Sequence, residues 1–341
     1  MELTNERSNE VLQLNETIFK INCWIDLQND CEPGAELARW VINYIVTPIL
    51  CILGVVGNYM NIIVLRRCGY KDTNVLLLVS LSLADLLLSL INGVLHIHFV
   101  IESFDFVAAS LIGSYAQQYL LSTFTSSLCI VQCHLVSIAT ERFIAVYFPF
   151  HAARIFSRSR VLIIIFCMYI FSIIFYIPHG LIHDVATTSI PGTNRTMYIR
   201  VVSQYFLGNY DAMYKYSVLG AGNLTTGILP AFIVIESALV GMKLIIRKSQ
   251  PLSKMKKGDA NDLKGMRLLM AVCVVSVLVS ISGLTIVHFH NDRRPVYSSV
   301  LELKIDVSNS ISQFFSSTNF VIYVTMSNKF YRTYRRLICR Y

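Results

Sequence analysis

The chain has 341 residues, 54% of them hydrophobic and only 15% charged, with Lys and Arg outnumbering Asp and Glu by 29 to 21. Soluble domains carry about 25% charged residues, so this composition excludes an ordinary soluble enzyme. It points to a membrane protein, with no nucleic acid expected among its partners.

Residues 1–40 read as a polar outer tail without the basic and apolar regions of a signal peptide. The first apolar span must then insert the chain. A helix needs about 20 apolar residues to cross a bilayer core, and seven runs qualify. They are Val41–Leu65, Thr73–Val100, about Ile112–Val146, Val161–Ile182, Tyr216–Ile246, Leu263–Phe289 and Tyr297–Met326. The third and seventh are rich in Ser, Thr, Gln and Asn, which suits helices buried among other helices. Only the loop from about His183 to Lys215 is too long for a plain turn. The expected fold is all-α: a seven-transmembrane helix bundle over residues 41–327, then residues 328–341. There Phe330, Tyr334, Leu337 and Ile338 oppose Arg332, Arg335 and Arg336, as in a short amphipathic surface helix.

Charge sets the orientation. One side, the loops and span ends after spans one, three and five plus the C-terminal end, holds 20 basic and 5 acidic residues; the other holds 9 and 15. The basic side is expected inside, which puts the N-terminus outside the plasma membrane. Sequons at Asn15 and Asn194 fall on the outer side. Cys129 and Cys133, four apart in an apolar run, read as core residues rather than metal ligands. No metal and no cofactor is expected.

Four polar features stand out within the spans. Asp85 lies near the middle of span two, Asn58 in span one and Asn319 in span seven, at similar depth. An acid there must pair, protonate or bind a cation. The three form either a packing clasp or a network that rearranges during a switch. The fourth is the pair Glu141 and Arg142 at the inner end of span three.

Here the chain resembles the rhodopsin-like (class A) family of G-protein-coupled receptors over essentially its whole length. The resemblance rests on Gly57-Asn58, Leu83-Ala84-Asp85, Glu141-Arg142-Phe143 with Pro149 after it, Pro230, and Asn319 to Tyr323 with Phe320 where the family has proline. It implies that Arg142 pairs with Glu141 in the resting state and is released when span six swings outward. Phe143 completes the triplet, Tyr323 would steady the freed Arg142, and Pro149 and Phe150 would dock on a heterotrimeric G protein. Asp85, Asn58, Ser316 and Asn319 would form the buried network, and Cys339 beside basic residues would carry a palmitoyl chain. Membrane lipids are the further partner, at the basic inner face.

Several family parts are missing. Gln117 stands where the family has the cysteine that staples the outer loop, and that loop has no cysteine. Cys23 and Cys31 are the outward-facing cysteines, and a small N-terminal loop closed by them is the expectation. Met168 replaces a tryptophan in span four, Ala238 a tyrosine in span five, and Val275 to Gly283 contains neither Trp nor Pro. Val131 and Phe315 replace polar partners of Asp85.

Family position also narrows the ligand. Phe124, 18 residues before Arg142, stands where amine receptors have an aspartate, and Gln313 where light sensors have a lysine. The remaining pocket is polar and aromatic. Its candidate residues are His96 and Phe99 in span two, then Gln118, Phe124 and Thr125 in span three. Span five adds Asn223 and Thr226, and span seven Glu302, Asp306, Asn309 and Gln313. The acidic outer side favours cationic ligands, and Glu302 and Asp306 suit a short basic amidated neuropeptide. A small external molecule sensed by a chemoreceptor of the same fold is the alternative. A transporter or channel is the competitor from another class; no repeat relates the two halves of the chain. No nucleophile-base or phosphate-binding spacing marks an enzyme.

Overall fold

In the computed structural model the described residues are 33–68, 73–190, 195–248, 299–326 and 328–338. The sixth span, Leu263–Phe289, lies outside them, as do Cys23, Cys31, Asn15, Asn194 and Cys339.

The first helix starts earlier than hydropathy suggests. α1 (Pro33–Val41) runs through a π-helical turn, Ile42–Val46, into α2 (Thr47–Cys68). Residues 33–40, read as tail, are therefore helical. Pro33 opens the helix, where its missing N–H is no loss. Glu36 and Arg39 lower the local hydropathy, but they are neutralised by pairing with each other and with a neighbouring helix.

α3 (Thr73–Glu102) follows, then α4 (Phe106–Tyr147), whose 42 residues make it the longest helix among the described residues. Asp105 caps α4, its carboxylate accepting from the N–H groups of Val107 and Ala108 at 2.9 and 3.2 Å. α5 (Pro149–Ile155) forms the connection that follows. α6 (Arg158–Tyr176) ends in a 3-10 turn over Ile177–Leu181.

The long loop after α6 adds a two-stranded hairpin to the helical bundle. β1 (His183–Ser189) and β2 (Thr196–Val202) pair antiparallel, with His183 opposite Val202 and Ser189 opposite Thr196. Val185, Thr187 and Thr188 face a strand holding Tyr198, Ile199 and Val201, all residues that fit a pleated surface. Burial and the neighbouring Arg200 guanidinium hold the His183 pKa down at about 4.

α7 (Gln204–Gly208) and α8 (Tyr210–Tyr214) lead into the fifth span. Its outer half is π-helical over Lys215–Gly222 and Leu224–Ile228, and only α9 (Leu229–Lys248) is regular. Thr225 and Thr226 donate back to the carbonyls of Ala221 and Gly222, competing with the helix ladder. α10 (Ser299–Met326) is the seventh span, and α11 (Asn328–Ile338) is the amphipathic helix at the C-terminal end.

Among the described residues, five helical stretches are long and apolar enough to cross a membrane, matching spans one to five. α10 is not among them: it is rich in Ser and Asn, and its polar side chains are spent on other helices. Thr47 Oγ1 and Ser310 Oγ lie 3.1 Å apart, Ser317 donates to the Leu50 carbonyl at 2.8 Å, and Asn58 to the Ser316 carbonyl at 3.0 Å. A polar seam thus joins α2 to α10.

The apolar core toward the basic end joins Leu77 and Leu81 of α3, Leu135, Ile138 and Ala139 of α4, and Ile233 and Val240 of α9. Phe330 of α11 is buried against Val64, Leu65 and Val75, which pins the surface helix to the bundle. α6 turns Ile163, Phe166 and Ile174 outward, as a lipid-facing helix would.

Candidate functional site

At the basic end, Glu141 is buried and Arg142 half-buried, with Arg142 Nε 3.3 Å from Glu141 Oε2. Asn74, the second residue of α3, completes the pair. With its amide oriented by the surrounding donors and acceptors, its nitrogen donates to both Glu141 oxygens at 2.8 and 3.0 Å and its oxygen accepts from Arg142 Nη2 at 3.3 Å. Nothing in the sequence singles out Asn74; its role exists only because the start of α3 lies beside the end of α4.

Phe143 stacks on Tyr147, with ring centroids 4.7 Å apart. Helix α9 then clasps α4 three times. Thr140 donates to both oxygens of Glu236 at 2.8 and 3.0 Å, Tyr147 Oη donates to the Leu239 carbonyl at 2.9 Å, and Lys243 Nζ donates to the Val146 carbonyl at 2.9 Å. Lys243 also lies 4.0 Å from the Tyr147 ring centroid. Beyond this clasp, Pro149 is exposed at the start of α5 and Phe150 is 95% exposed. Tyr323 lies on α10, its side chain outside the described residues.

In mid-membrane, the four residues expected to form a network do meet. Asn319 Nδ2 donates to Asp85 Oδ2 at 2.6 Å. Ser316 Oγ reaches the Asp85 carbonyl at 3.5 Å, and Asn58 reaches the same turn of α10 through the Ser316 carbonyl. A second polar node lies one to two turns further out. There Gln313 Nε2 donates to Ser89 Oγ at 2.7 Å, while Asn92 Nδ2 donates to Gln313 Oε1 at 3.3 Å.

This corrects the reading of Gln313 as a pocket residue: it is 1% exposed and committed to the contact among α2, α3 and α10. Phe124, 5% exposed, likewise packs on Leu88 and Leu95 rather than on open space. The glutamine's long reach and the helical phase of Phe124 bring each onto a neighbouring helix.

The other candidate ligand residues are half-buried. His96 Nδ1 faces the Asn92 carbonyl at 2.9 Å, and its ring is 5.9 Å from Phe99. Thr125 and Thr226 return their hydroxyls to their own helices. Gln118 Oε1 is buried with no hydrogen-bond partner among the described residues. Asn223 lies between the two π-helical stretches of the fifth span and Asn309 in the first half of α10. Glu302 and Asp306 are both engaged by Arg39, at 2.5 and 3.1 Å, and Asn43 Nδ2 adds a bond to Asp306 at 3.0 Å. Arg39 was hidden in the presumed tail; acids four apart on α10 facing one basic residue just outside span one were the signal available.

The hairpin is held without a disulfide. Ser110 Oγ accepts from the Tyr198 N–H at 3.2 Å, and Ser114 Oγ donates to the Tyr198 carbonyl at 3.1 Å. Tyr115 packs on the Tyr198 ring at 6.1 Å. Replacing both Ser110 and Ser114 with alanine removes two bonds worth about 1 kcal/mol each. Hydrogen exchange across residues 183–202 should then rise about thirtyfold, whereas dithiothreitol should leave the wild-type hairpin's exchange unchanged. Protection lost on reduction instead would show that a thiol bond holds it.

Comparison with known proteins bears on all of this. Residues 57–325 match the family model described as 7 transmembrane receptor (rhodopsin family). The chain is similar to human neuromedin-U receptor 2, with 24% identity over 323 residues, covering 90% of this chain and 74% of that receptor. It is also similar to the human thyrotropin-releasing hormone receptor, with 31% identity over 160 residues, covering 44% of this chain and 36% of that receptor.

Proposed function

The chain belongs to the rhodopsin family of seven-transmembrane receptors, and from that premise we propose that it binds an extracellular peptide carrying a basic group and activates a heterotrimeric G protein on the inner face of the plasma membrane. The observation that carries the coupling half is the closed Glu141–Arg142 pair, held by Asn74 and followed by a loop that presents Phe150 to solvent. Phe150, 95% exposed beyond that pair, is placed where a partner protein can cover it.

The proposed cycle is that of receptors of this family. Ligand binding at the outer halves of the spans favours a state in which the inner end opens through outward movement of span six. Arg142 then leaves Glu141 and meets the G protein, while Pro149 and Phe150 fill a groove on its surface. Tyr323 steadies the released guanidinium. The Asp85–Asn319 bond links the two ends, because it ties α3 to α10 midway between them. The peptide half is supported by the carboxylates of Glu302 and Asp306 at the outer end of α10, and by relatives named for neuromedin-U and for thyrotropin-releasing hormone. Sugar at Asn15 and Asn194, a Cys23–Cys31 bridge and a lipid chain on Cys339 complete the proposed surface chemistry.

The test is nucleotide exchange on purified G protein by the receptor in lipid nanodiscs, screened with a library of short amidated basic peptides. A peptide that binds and accelerates exchange supports the reading; peptide binding that never changes exchange rules out coupling. Phe150→Ala should slow the stimulated exchange about tenfold, the effect of losing a central aromatic anchor, with peptide affinity unchanged. An undiminished rate would remove Phe150 from the interface.

A further inference from the structure

The outer end of α10 offers its two acids to a ligand, yet both are already paired with a cation from the same chain. Arg39 Nη1 lies 2.5 Å from Glu302 and 3.4 Å from Glu36, and its Nε lies 3.1 Å from Asp306. We propose that Arg39 is a tethered stand-in for the ligand's cationic group, and that a basic ligand binds by exchanging with it at Glu302 and Asp306. This rests on the reading of those two acids as a ligand subsite.

Three features of the chain support exchange over a permanent clasp. The first is charge: among the described residues, three carboxylates lie against one guanidinium, a grouping that attracts cations. The second is exposure. The side chains of Arg39, Glu302 and Asp306 are 22%, 33% and 15% exposed. Water that reaches the pairs screens them, so they are weaker than dry ion pairs and can exchange with a cation from solution. The third is local structure. Regular α-helix drifts off a straight row of residues spaced four apart, but i→i+5 bonding winds less per residue. The π turn at Ile42–Val46 offsets the drift and keeps Arg39, Asn43 and Thr47 facing Asp306 and Ser310. When Arg39 lets go, Asn43 and Thr47 still hold α2 against α10, so α1 can part from α10 without opening the seam below.

In ligand-free receptor, then, Arg39 competes with the incoming cation and sets its apparent affinity. The free acid site is only fractionally available, and apparent affinity falls by that fraction. An uncharged ligand gains nothing from the exchange, so the same contact sorts ligands by charge.

The experiment uses full-length receptor in nanodiscs and two probes of similar shape: Nα-acetyl-argininamide, and Nα-acetyl-citrullinamide with no charge. Affinities are read from the shift in thermal unfolding with probe concentration. Acetyl-argininamide should bind Arg39→Gln about tenfold tighter than wild type, acetyl-citrullinamide should bind neither, and adding Asp306→Asn should erase the gain. Equal affinity of acetyl-argininamide for wild type and Arg39→Gln overturns the exchange but leaves the acids as a ligand subsite. Failure of acetyl-argininamide to bind either protein removes the subsite and the exchange together. If Arg39→Gln does not reach the membrane, Arg39→Lys carries the test: it keeps the charge, loses the planar fork and should show a smaller gain. No gain there overturns the proposal equally.

Discussion

Glu141→Gln should raise ligand-independent nucleotide exchange about fivefold at equal surface expression. Glutamine keeps the shape of the side chain and removes its charge. Arg142 then loses its carboxylate, and Asn74, which donates to both Glu141 oxygens, faces an amide nitrogen with one of its two bonds. The pair is partly exposed, with Arg142 at 34% and Glu141 at 11%, so its loss is worth about 1 kcal/mol rather than the figure for a dry ion pair. A change of that size multiplies a sparsely populated active state about fivefold. Asn74→Ala should move basal exchange in the same direction by less, since Glu141 and Arg142 still meet. Basal exchange that stays at the wild-type level in both variants would place the resting lock elsewhere, and the Thr140–Glu236 contact between α4 and α9 would be the next to test.

Gly54→Val should cost about 3 kcal/mol or more and sharply lower the amount of receptor at the cell surface. A Cβ at position 54 would lie 2.3 Å from Ser89 Oγ, 2.7 Å from Gln313 Nε2 and 3.1 Å from Ser317 Oγ. Those atoms make the bonds that join α2, α3 and α10: Gln313 to Ser89 at 2.7 Å and Ser317 to the Leu50 carbonyl at 2.8 Å. Any side chain there both overpacks the junction and leaves buried polar groups unpaired. Gly57→Ala is the control. Its Cβ would sit 3.4 Å from the Phe320 Cβ and the Ser317 carbonyl, an ordinary contact, and should shift the unfolding temperature by only a degree or two. A Gly54 variant as stable as wild type in thermal unfolding would mean that the junction relaxes without loss.

Those two glycines mark where sequence reading succeeds and where it stops. Gly57 belongs to a motif and is visible beside Asn58; Gly54 has no motif, and only the approach of α3 and α10 crowds the space a side chain would fill there. The same holds at the basic end, where Glu141 and Arg142 are adjacent in sequence and legible, while Asn74 lies far from them in the chain and becomes their partner through helix packing.

Much was determined by sequence alone. The bilayer demands long apolar runs, so span count and the positions of spans one to five follow from hydropathy. The motif residues carry the family, which matches over residues 57–325. Polar residues at similar depth in spans one, two and seven point to helices joined through Asp85, Asn58 and Asn319. What the tertiary structure decided was how polar side chains between elements are used. Gln313 left the ligand pocket for the α2–α3–α10 junction, Ser110 and Ser114 took over the work of a missing disulfide, and Arg39 turned a polar tail into helix by pairing with acids on α10. The physical reason is common to all three. Hydropathy is a property of one segment and its solvent, so it is written locally in the chain. A hydrogen bond or ion pair within a bundle needs two segments at one place and one phase, and only their packing supplies that.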